Sequence, residues 1–198
     1  MLKRAFDIVA SMIGLILLSP VLMLAAILVK CSSQGPVLFR QDRVGRNFRK
    51  FRLFKIRTMY VNNSDVAITC GADPRITRVG KLLRNLKIDE LPQLWNVLRG
   101  DMSFVGPRPE VPQYTRIFYE DYAQVLTVRP GITSAASLKY RDEARILGQV
   151  EDPLDYYIRV ILPDKLGLEK EYIKRSSFCY DLSLILATLR ACVSPATD

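Results

Sequence analysis

One long apolar stretch, Ile8 to Val29, constrains what this chain can fold into more than any other feature, since only two serines interrupt it. As a single helix it would be about 33 Å long, just enough to cross a bilayer. Ser19 and Pro20 lie at its middle. Proline removes a backbone hydrogen bond and kinks a helix, and the Ser19 hydroxyl could bond the carbonyl that this frees.

Basic residues flank the apolar stretch on both sides. Up to Tyr60 there are eleven Lys or Arg against two acidic residues, so the net charge of +9 belongs to this third of the chain. Because positive charge tends to stay on the cytoplasmic side, residues 1–34 are predicted to form a re-entrant membrane helix, broken at Ser19 and Pro20. A bitopic span and a buried core helix remain alternatives. A signal peptide is disfavoured, because the apolar run is long and the charge that follows opposes translocation.

The composition excludes several kinds of chemistry. The chain has no histidine, which removes Ser-His nucleophilic catalysis and histidine-ligated metals. Its four cysteines are far apart and form no C-x-x-C pair, so they are interpreted as reduced thiols without a zinc site. Catalysis here would need carboxylates, Lys, Arg, Tyr, thiols or an oxygen-ligated metal.

The stretch from Lys87 to Glu110 holds the strongest candidate residues. Asp89 and Glu90 stand where a helix is predicted to begin, with Pro92 in its first turn and Gly100 at its end. A helix N-terminus also attracts anions such as phosphate. The alternative is that these acids only cap a helix and suit its dipole.

The rest of the chain predicts short elements. Val37 to Phe39 and Phe51 to Arg57 are typical of a hairpin, whose basic residues and phenylalanines fit a membrane surface better than nucleic acid. A polar loop is predicted over Asn62 to Pro74 and a helix from Thr77 to Leu86. Further helices are predicted over Tyr114 to Val128, from Asp152 and from Pro163. Leu182 to Val193 is apolar but too short to span a membrane, so it could lie on the membrane surface or complete the core.

Oxygen ligands and cations complete the candidate site. Carboxylates such as Asp89 and Glu90 suit Mg²⁺, which usually takes one or two carboxylates plus substrate phosphates. Phosphate oxygens could be bound by a lysine and three arginines, although each alone is more often a surface ion-pair partner: Lys55, Arg84, Arg108 and Arg141. The chain lacks a P-loop and a G-x-G-x-x-G loop, which disfavours ATP-dependent kinases.

From Lys3 to about Val193 the chain resembles the bacterial sugar transferases, the monotopic polyprenyl-phosphate phosphoglycosyl transferases of the small, catalytic-domain type. The motifs that carry the resemblance follow one order: Leu18-Ser19-Pro20, Gly35-Pro36-Val37-Leu38-Phe39, Gln41-Asp42-Arg43-Val44-Gly45, Phe54-Lys55-Ile56-Arg57-Thr58-Met59, Asp73-Pro74-Arg75-Ile76-Thr77-Arg78-Val79-Gly80, Asp89-Glu90-Leu91-Pro92-Gln93, Gly100-Asp101-Met102-Ser103, Gly106-Pro107-Arg108-Pro109 and Arg129-Pro130-Gly131-Ile132-Thr133.

The resemblance implies a reaction at the cytoplasmic face of the bacterial inner membrane. A sugar-1-phosphate would pass from a UDP-sugar to polyprenyl (undecaprenyl) phosphate, which begins the synthesis of a surface glycan and releases UMP. Asp89 would be the nucleophile and hold Mg²⁺, with Glu90 assisting. The resemblance assigns Lys55, Arg84, Arg108 and Arg141 to phosphate or nucleotide binding. Downstream glycosyltransferases are possible partners, and nucleic acid is not expected.

The implied architecture is α+β and mainly helical. Residues 1–34 would form the re-entrant helix, and residues 35–198 a cytosolic catalytic domain with a small β-hairpin and with amphipathic helices on the membrane surface. The chain departs from the commoner family pattern after Thr133, where only Ala136 and Arg141 survive of Gly-Trp-Ala-Gln-Val-Asn-Gly-Arg, and at the hairpin tip, Asn47 to Arg49. The resemblance therefore does not identify the sugar of the UDP-sugar donor. It does not define the oligomeric state either.

Two other classes of protein remain to be weighed. A catalytically silent membrane scaffold is disfavoured by the intact Asp89-Glu90 pair. A nucleic-acid-binding protein is disfavoured by the apolar segment. Within the enzyme reading, direct attack by the lipid phosphate, with Asp89 as a metal ligand only, is the alternative mechanism.

Overall fold

The computed structural model describes residues 2–61, 70–71 and 73–193, and it confirms a mainly helical chain with a small antiparallel hairpin. The loop predicted from Asn62 lies mostly outside the described residues. The first element is one helix, α1 (Leu2–Ser32), which is long and apolar enough to cross a membrane. This helix continues through Ser19 and Pro20. The Ser19 hydroxyl donates to the Ile16 carbonyl at 2.7 Å, the group that lacks a partner because Pro20 has no N–H.

One side of α1 lies along the rest of the chain, and the other side is apolar and exposed. Near its start, Asp7 is 2% exposed and accepts from the Ser103 hydroxyl and the Phe104 N–H. Near its end, Ala25 and Val29 are buried against the following elements. The opposite side exposes large aliphatic and thioether side chains: Val9, Met12, Ile13, Ile16, Leu17, Met23, Leu24 and Ile27.

The hairpin is confirmed and is longer than predicted. Strand β1 (Leu38–Val44) pairs antiparallel with β2 (Lys50–Ile56), with Leu38 opposite Ile56. At the tip Asn47 and Phe48 take positive φ values of 54° and 59°, and the Phe48 ring stacks on Tyr119 at 4.9 Å. The unusual residues at the tip therefore attach the hairpin to the helical part of the chain.

Two helices flank the acidic pair. Helix α2 (Arg78–Asn85) begins where predicted, because the Thr77 side chain accepts from the Gly80 N–H. A 3-10 turn (Ile88–Glu90) then leads into α3 (Gln93–Arg99), which ends at Gly100 with φ 93°. The acids thus precede α3 by one tighter turn, because Pro92 cannot donate the hydrogen bond that would close an α-helical turn there.

A short parallel sheet was not predicted. Strands β3 (Ser103–Val105) and β4 (Gly131–Thr133) pair with Ser103 opposite Gly131. Just beyond β3 the two backbones nearly touch, since a Cβ on Gly106 would lie 2.4 Å from the Arg129 carbonyl oxygen. This close approach fixes the start of the Gly106-Pro107-Arg108-Pro109 segment.

Short helices complete the chain and enclose its largest core. The helix predicted over Tyr114 to Val128 is two helices, α4 (Pro112–Ile117) and α5 (Tyr119–Val125), because the backbone leaves the helical region at Phe118. The others follow in order: α6 (Ala135–Lys139), α7 (Glu143–Leu147), α8 (Pro153–Tyr156), a π-helical turn (Tyr157–Ile161), α9 (Leu162–Arg175) and α10 (Phe178–Val193). The predicted helix starts at Asp152 and Pro163 belong to one continuous helical path. Residues of α4, α5, α7 and α9 share one buried apolar cluster.

Candidate active site

Asp89 is buried, and one of its carboxylate oxygens has no hydrogen-bond partner. Asp89 as a whole is 7% exposed. Its Oδ1 is shielded from solvent and accepts no hydrogen bond. The backbone of Lys87, with φ 54°, turns the chain from α2 into the 3-10 turn that carries Asp89. Burying an ionisable oxygen without a partner is costly, so such an atom is typical of a site that meets a ligand or a metal ion.

Glu90, the neighbouring acid, is paired with two cations. Its Oε1 accepts from Lys55 Nζ at 2.7 Å and from Arg108 Nη2 at 2.8 Å. Lys55 comes from β2 and Arg108 from the segment between its two prolines, so Glu90 joins two distant parts of the chain. The structure thus brings four of the predicted site residues together around one turn.

The two carboxyl groups have opposite pKa shifts. Burial raises the pKa of Asp89, and the cations Lys55 and Arg84 only partly oppose this. Burial would also raise the pKa of Glu90, but Arg108 and Lys55 hold that pKa well below its ordinary value. Glu90 therefore acts as a permanent anion that orders two cations, whereas Asp89 keeps an oxygen available for chemistry.

The cations respond to the same burial. Burial lowers the pKa of Lys55, although the charge of Glu90 opposes this, and burial likewise lowers the pKa of Arg84. Arg84 Nε donates to the Thr58 hydroxyl at 2.8 Å, which leaves its terminal nitrogens for other acceptors. A cation held this way beside two acids suits the binding of a phosphate that brings further negative charge.

Gly80 allows α2 to lie close enough to Thr58 for this contact. A Cβ at position 80 would lie 2.0 Å from the Thr58 carbonyl oxygen. We expect Gly80→Ala to lower the free energy of unfolding by about 3 kcal/mol or more, through overpacking, and to displace Arg84. Gly167→Ala is the matched control, since nothing lies within 4 Å of the added Cβ on α9. It should stabilise by about 0.5–1 kcal/mol, and chemical denaturation of both variants tests the contrast.

Arg141 follows the end of α6 and lies beside Asp142. Its Nε is 3.8 Å from the Asp142 carboxylate, and its side chain is one-third exposed. Its assignment to phosphate binding rests on the family resemblance and stays a prediction.

Sequence reasoning missed two buried polar residues that support the site. Asn96 is 0% exposed and bonds the part of β2 just before Lys55, accepting from the Phe54 N–H and donating to the Arg52 carbonyl. Glu169, on α9, accepts the Arg108 N–H at 3.3 Å. The only signal for Asn96 was a polar residue among the apolar residues of α3, and nothing in the local sequence marks Glu169.

The residues present fit a divalent cation bound together with a substrate. No group of three or more His, Cys, Asp or Glu stands ready to hold a metal among the described residues. Asp89 Oδ1 is a hard oxygen ligand without a partner. That matches Mg²⁺, which is usually held by one or two carboxylates and by the phosphates it accompanies.

Comparison with known proteins places the chain in a family. A family description, bacterial sugar transferase, matches residues 1–195. The chain belongs to the bacterial sugar transferase family. The predicted resemblance is thereby confirmed.

Relatives in this family carry names that state what they act on. The chain is 43% identical over 95% of its length to an undecaprenyl-phosphate glucose phosphotransferase of Komagataeibacter xylinus, and spans 35% of that protein. It is 39% identical over 96% of its length to a UDP-glucose:undecaprenyl-phosphate glucose-1-phosphate transferase of Escherichia coli (strain K12), and spans 39% of it. An exopolysaccharide production protein of Rhizobium leguminosarum bv. phaseoli is 38% identical over 95% of this chain, which spans 93% of that relative. The chain thus covers well under half of the first two proteins and nearly all of the third.

Proposed function

We propose that the chain transfers sugar-1-phosphate from a UDP-sugar to undecaprenyl phosphate through a covalent intermediate on Asp89. An Asp89 oxygen forms a bond to the β-phosphorus, the bond from that phosphorus to the oxygen bridging the two phosphates breaks, and UMP leaves. A phosphate oxygen of the lipid then attacks the same phosphorus. This forms polyprenyl-diphosphate-sugar and returns the Asp89 carboxylate.

One observation carries this proposal: the buried, unpartnered Oδ1 of Asp89 beside a Glu90 whose charge is already neutralised. A carboxylate nucleophile must be ionised and must offer an oxygen that no protein group already bonds. Glu90 keeps Lys55 and Arg108 in fixed positions, so both cations are preorganised to meet the charge that develops on the phosphates. The names of the relatives support the donor and acceptor classes.

Mg²⁺ would be held by Asp89 together with the diphosphate of the donor. When bound it supplies positive charge that offsets the phosphate oxygens. The chain's own contribution is separate: Arg84 and Arg108 orient phosphate oxygens, and the Asp89 turn excludes water from the attacking oxygen.

The product would begin a surface glycan, such as an exopolysaccharide. The partners are then the UDP-sugar, the lipid phosphate and the inner-membrane surface at its cytoplasmic face. A covalent route suits this pairing, because a soluble donor and a membrane-bound acceptor never need to occupy the site together.

The first test is UMP release from a panel of UDP-sugars, with detergent-solubilised protein, undecaprenyl phosphate and Mg²⁺. We expect release with at least one UDP-sugar and loss of release when the metal is chelated, with recovery when Mg²⁺ is returned. Silence across the panel from protein shown to be folded would instead favour a membrane scaffold.

The placement of α1 supports a membrane topology in which both of its ends stay on one side. At its start, Lys3 Nζ donates to the Val105 carbonyl at 2.8 Å and pairs with Asp181 at 2.6 Å. After its end, the Arg57 guanidinium donates to three carbonyls of residues 33–36. Both ends are therefore fastened to one folded unit, which a helix with its ends on opposite sides of a bilayer could not achieve.

Cysteine labelling in spheroplasts tests this topology. Cys31 is exposed near the end of α1 and serves as one reporter, and Leu2→Cys provides the other in a chain whose remaining cysteines are replaced by serine. With an impermeant maleimide, we expect both positions to react only after permeabilisation. Reaction of exactly one position in intact spheroplasts would indicate a spanning helix.

A further inference from the structure

Arg108 is the cation of the Gly106-Pro107-Arg108-Pro109 segment. The position of its guanidinium depends on the hydrogen bonds that hold its backbone. The preceding residues are bonded to β4: the Gly106 N–H donates to the Thr133 carbonyl at 3.1 Å, and the Pro107 carbonyl accepts the Gly131 N–H at 2.9 Å. These bonds end one residue short of Arg108. At Arg108 itself the N–H donates to a side chain, the Glu169 carboxylate of α9, at 3.3 Å.

Glu169 is almost fully buried and is itself held by a hydroxyl. It is 4% exposed, and its Oε1 accepts from the Ser134 hydroxyl at 2.7 Å as well as from Arg108. Its second oxygen, Oε2, is buried without a partner. A carboxyl group with only a structural role would be more stable with both oxygens hydrogen-bonded. Burying Oε2 without a partner therefore lowers the stability of the fold, which a purely structural role does not explain.

The contacts form one connected series that ends at the acid pair. Ser134 caps α6 through its bond from the Ser137 N–H and also donates to Glu169. Glu169 accepts the Arg108 N–H, and the Arg108 guanidinium reaches Glu90 at 2.8 Å. Ser134 is also the first residue at which this chain departs from the commoner family pattern.

We propose that Glu169 is a positioning residue, which sets the place of Arg108 beside Glu90 by accepting the Arg108 backbone N–H, and that Ser134 keeps its carboxylate in place. This inference rests on the proposed phosphate-binding role of Arg108. Glu169 does not touch the reacting atoms. It affects the first chemical step only by setting the position of the Arg108 guanidinium.

The ionisation of Glu169 offers a readout that a packing role would not move. Burial raises the pKa of Glu169 to about 7, and the bond from Ser134 opposes that shift. The ionisable groups around it are Lys165 and Tyr172 on its own helix, Arg108 on the facing segment and Tyr122 on α5. Because an ionised carboxylate accepts hydrogen bonds more strongly than a neutral one, Arg108 is held best above this pKa.

The experiment measures kcat/KM for UMP release between pH 5.5 and 9, with thermal unfolding followed in parallel. We expect the wild-type value to fall about fivefold to tenfold as pH drops through about 7, the size of one weakened hydrogen bond. Glu169→Gln should lack this inflection and stay low at all pH values. Ser134→Ala should move the inflection to higher pH, because the bond that lowers the pKa of Glu169 is lost.

Asp7→Asn is the matched control, since Asp7 is an equally buried acid that also accepts from one hydroxyl and one backbone N–H. It should keep the wild-type inflection. Arg108→Ala separates the two proposals: if it leaves kcat/KM unchanged, the role of Arg108 is wrong. If Arg108→Ala loses activity while Glu169→Gln and Ser134→Ala keep the wild-type rate and pH profile, Glu169 only packs and the inference is overturned.

Discussion

Replacing Asp89 with asparagine is expected to abolish UMP release, by a factor on the order of 10³ or more, because an amide oxygen cannot act as the nucleophile. The loss should appear in kcat and should not be rescued by more donor or more Mg²⁺. A rate within tenfold of the wild type would exclude Asp89 as the attacking group.

The same substitution should leave the fold intact. Burial raises the pKa of Asp89, so the folded state binds its proton more tightly than the unfolded chain does. The free energy of unfolding therefore falls as pH rises from the ordinary aspartate pKa to the raised pKa that Asp89 has in the folded state. We expect Asp89→Asn to unfold at the same or a higher temperature than the wild type at pH 8. Asp42→Asn, at an exposed position on β1, is the control and should change neither activity nor stability.

Glu90→Gln is expected to damage the fold as well as the activity. Glu90 is the shared partner of Lys55 and Arg108, and its side chain is only 15% exposed. Removing one member of a buried ion pair leaves the others uncompensated, which costs about 3 kcal/mol or more. Urea denaturation at pH 7 should show this loss. Glu151→Gln, at an exposed position, should stay within about 0.5 kcal/mol of the wild type.

The pH dependence of this loss has a definite sign. The pKa of Glu90 lies well below its ordinary value of 4.5, so the folded state releases its proton more readily than the unfolded chain. Its stabilising contribution is then present above about pH 4.5 and disappears as pH falls through the folded pKa. The wild type and Glu90→Gln should therefore converge in acid. A difference in the free energy of unfolding that stays constant from pH 7 to pH 3 would contradict the ion-pair account.

The elements predicted correctly from the sequence are those set by local chemistry. Thr77 caps α2 and Asp152 caps α8, because each side chain bonds backbone groups two or three residues away. The basic hairpin is local in the same sense. By contrast, β3 and β4 are three residues each and pair across the chain, so no periodicity marks them.

The residues of the candidate site were proposed from the sequence, whereas the buried polar residues that contact them were not. Family resemblance identified Asp89, Glu90, Lys55 and Arg108, and the structure brings them together. The burial of a polar residue such as Glu169 depends on which helices pack around it. That information lies in the tertiary structure and leaves no pattern in the local sequence.

The most direct test of the account is to look for the sugar phosphate on the protein itself. The enzyme is incubated with its UDP-sugar and Mg²⁺ but without undecaprenyl phosphate, quenched, and analysed by intact mass and peptide mapping. We expect one phosphosugar per chain on the peptide that carries Asp89, absent in Asp89→Asn and removed when the lipid phosphate is added. UMP release that depends strictly on the lipid, with no adduct at any time point, would show that the lipid phosphate attacks the donor directly.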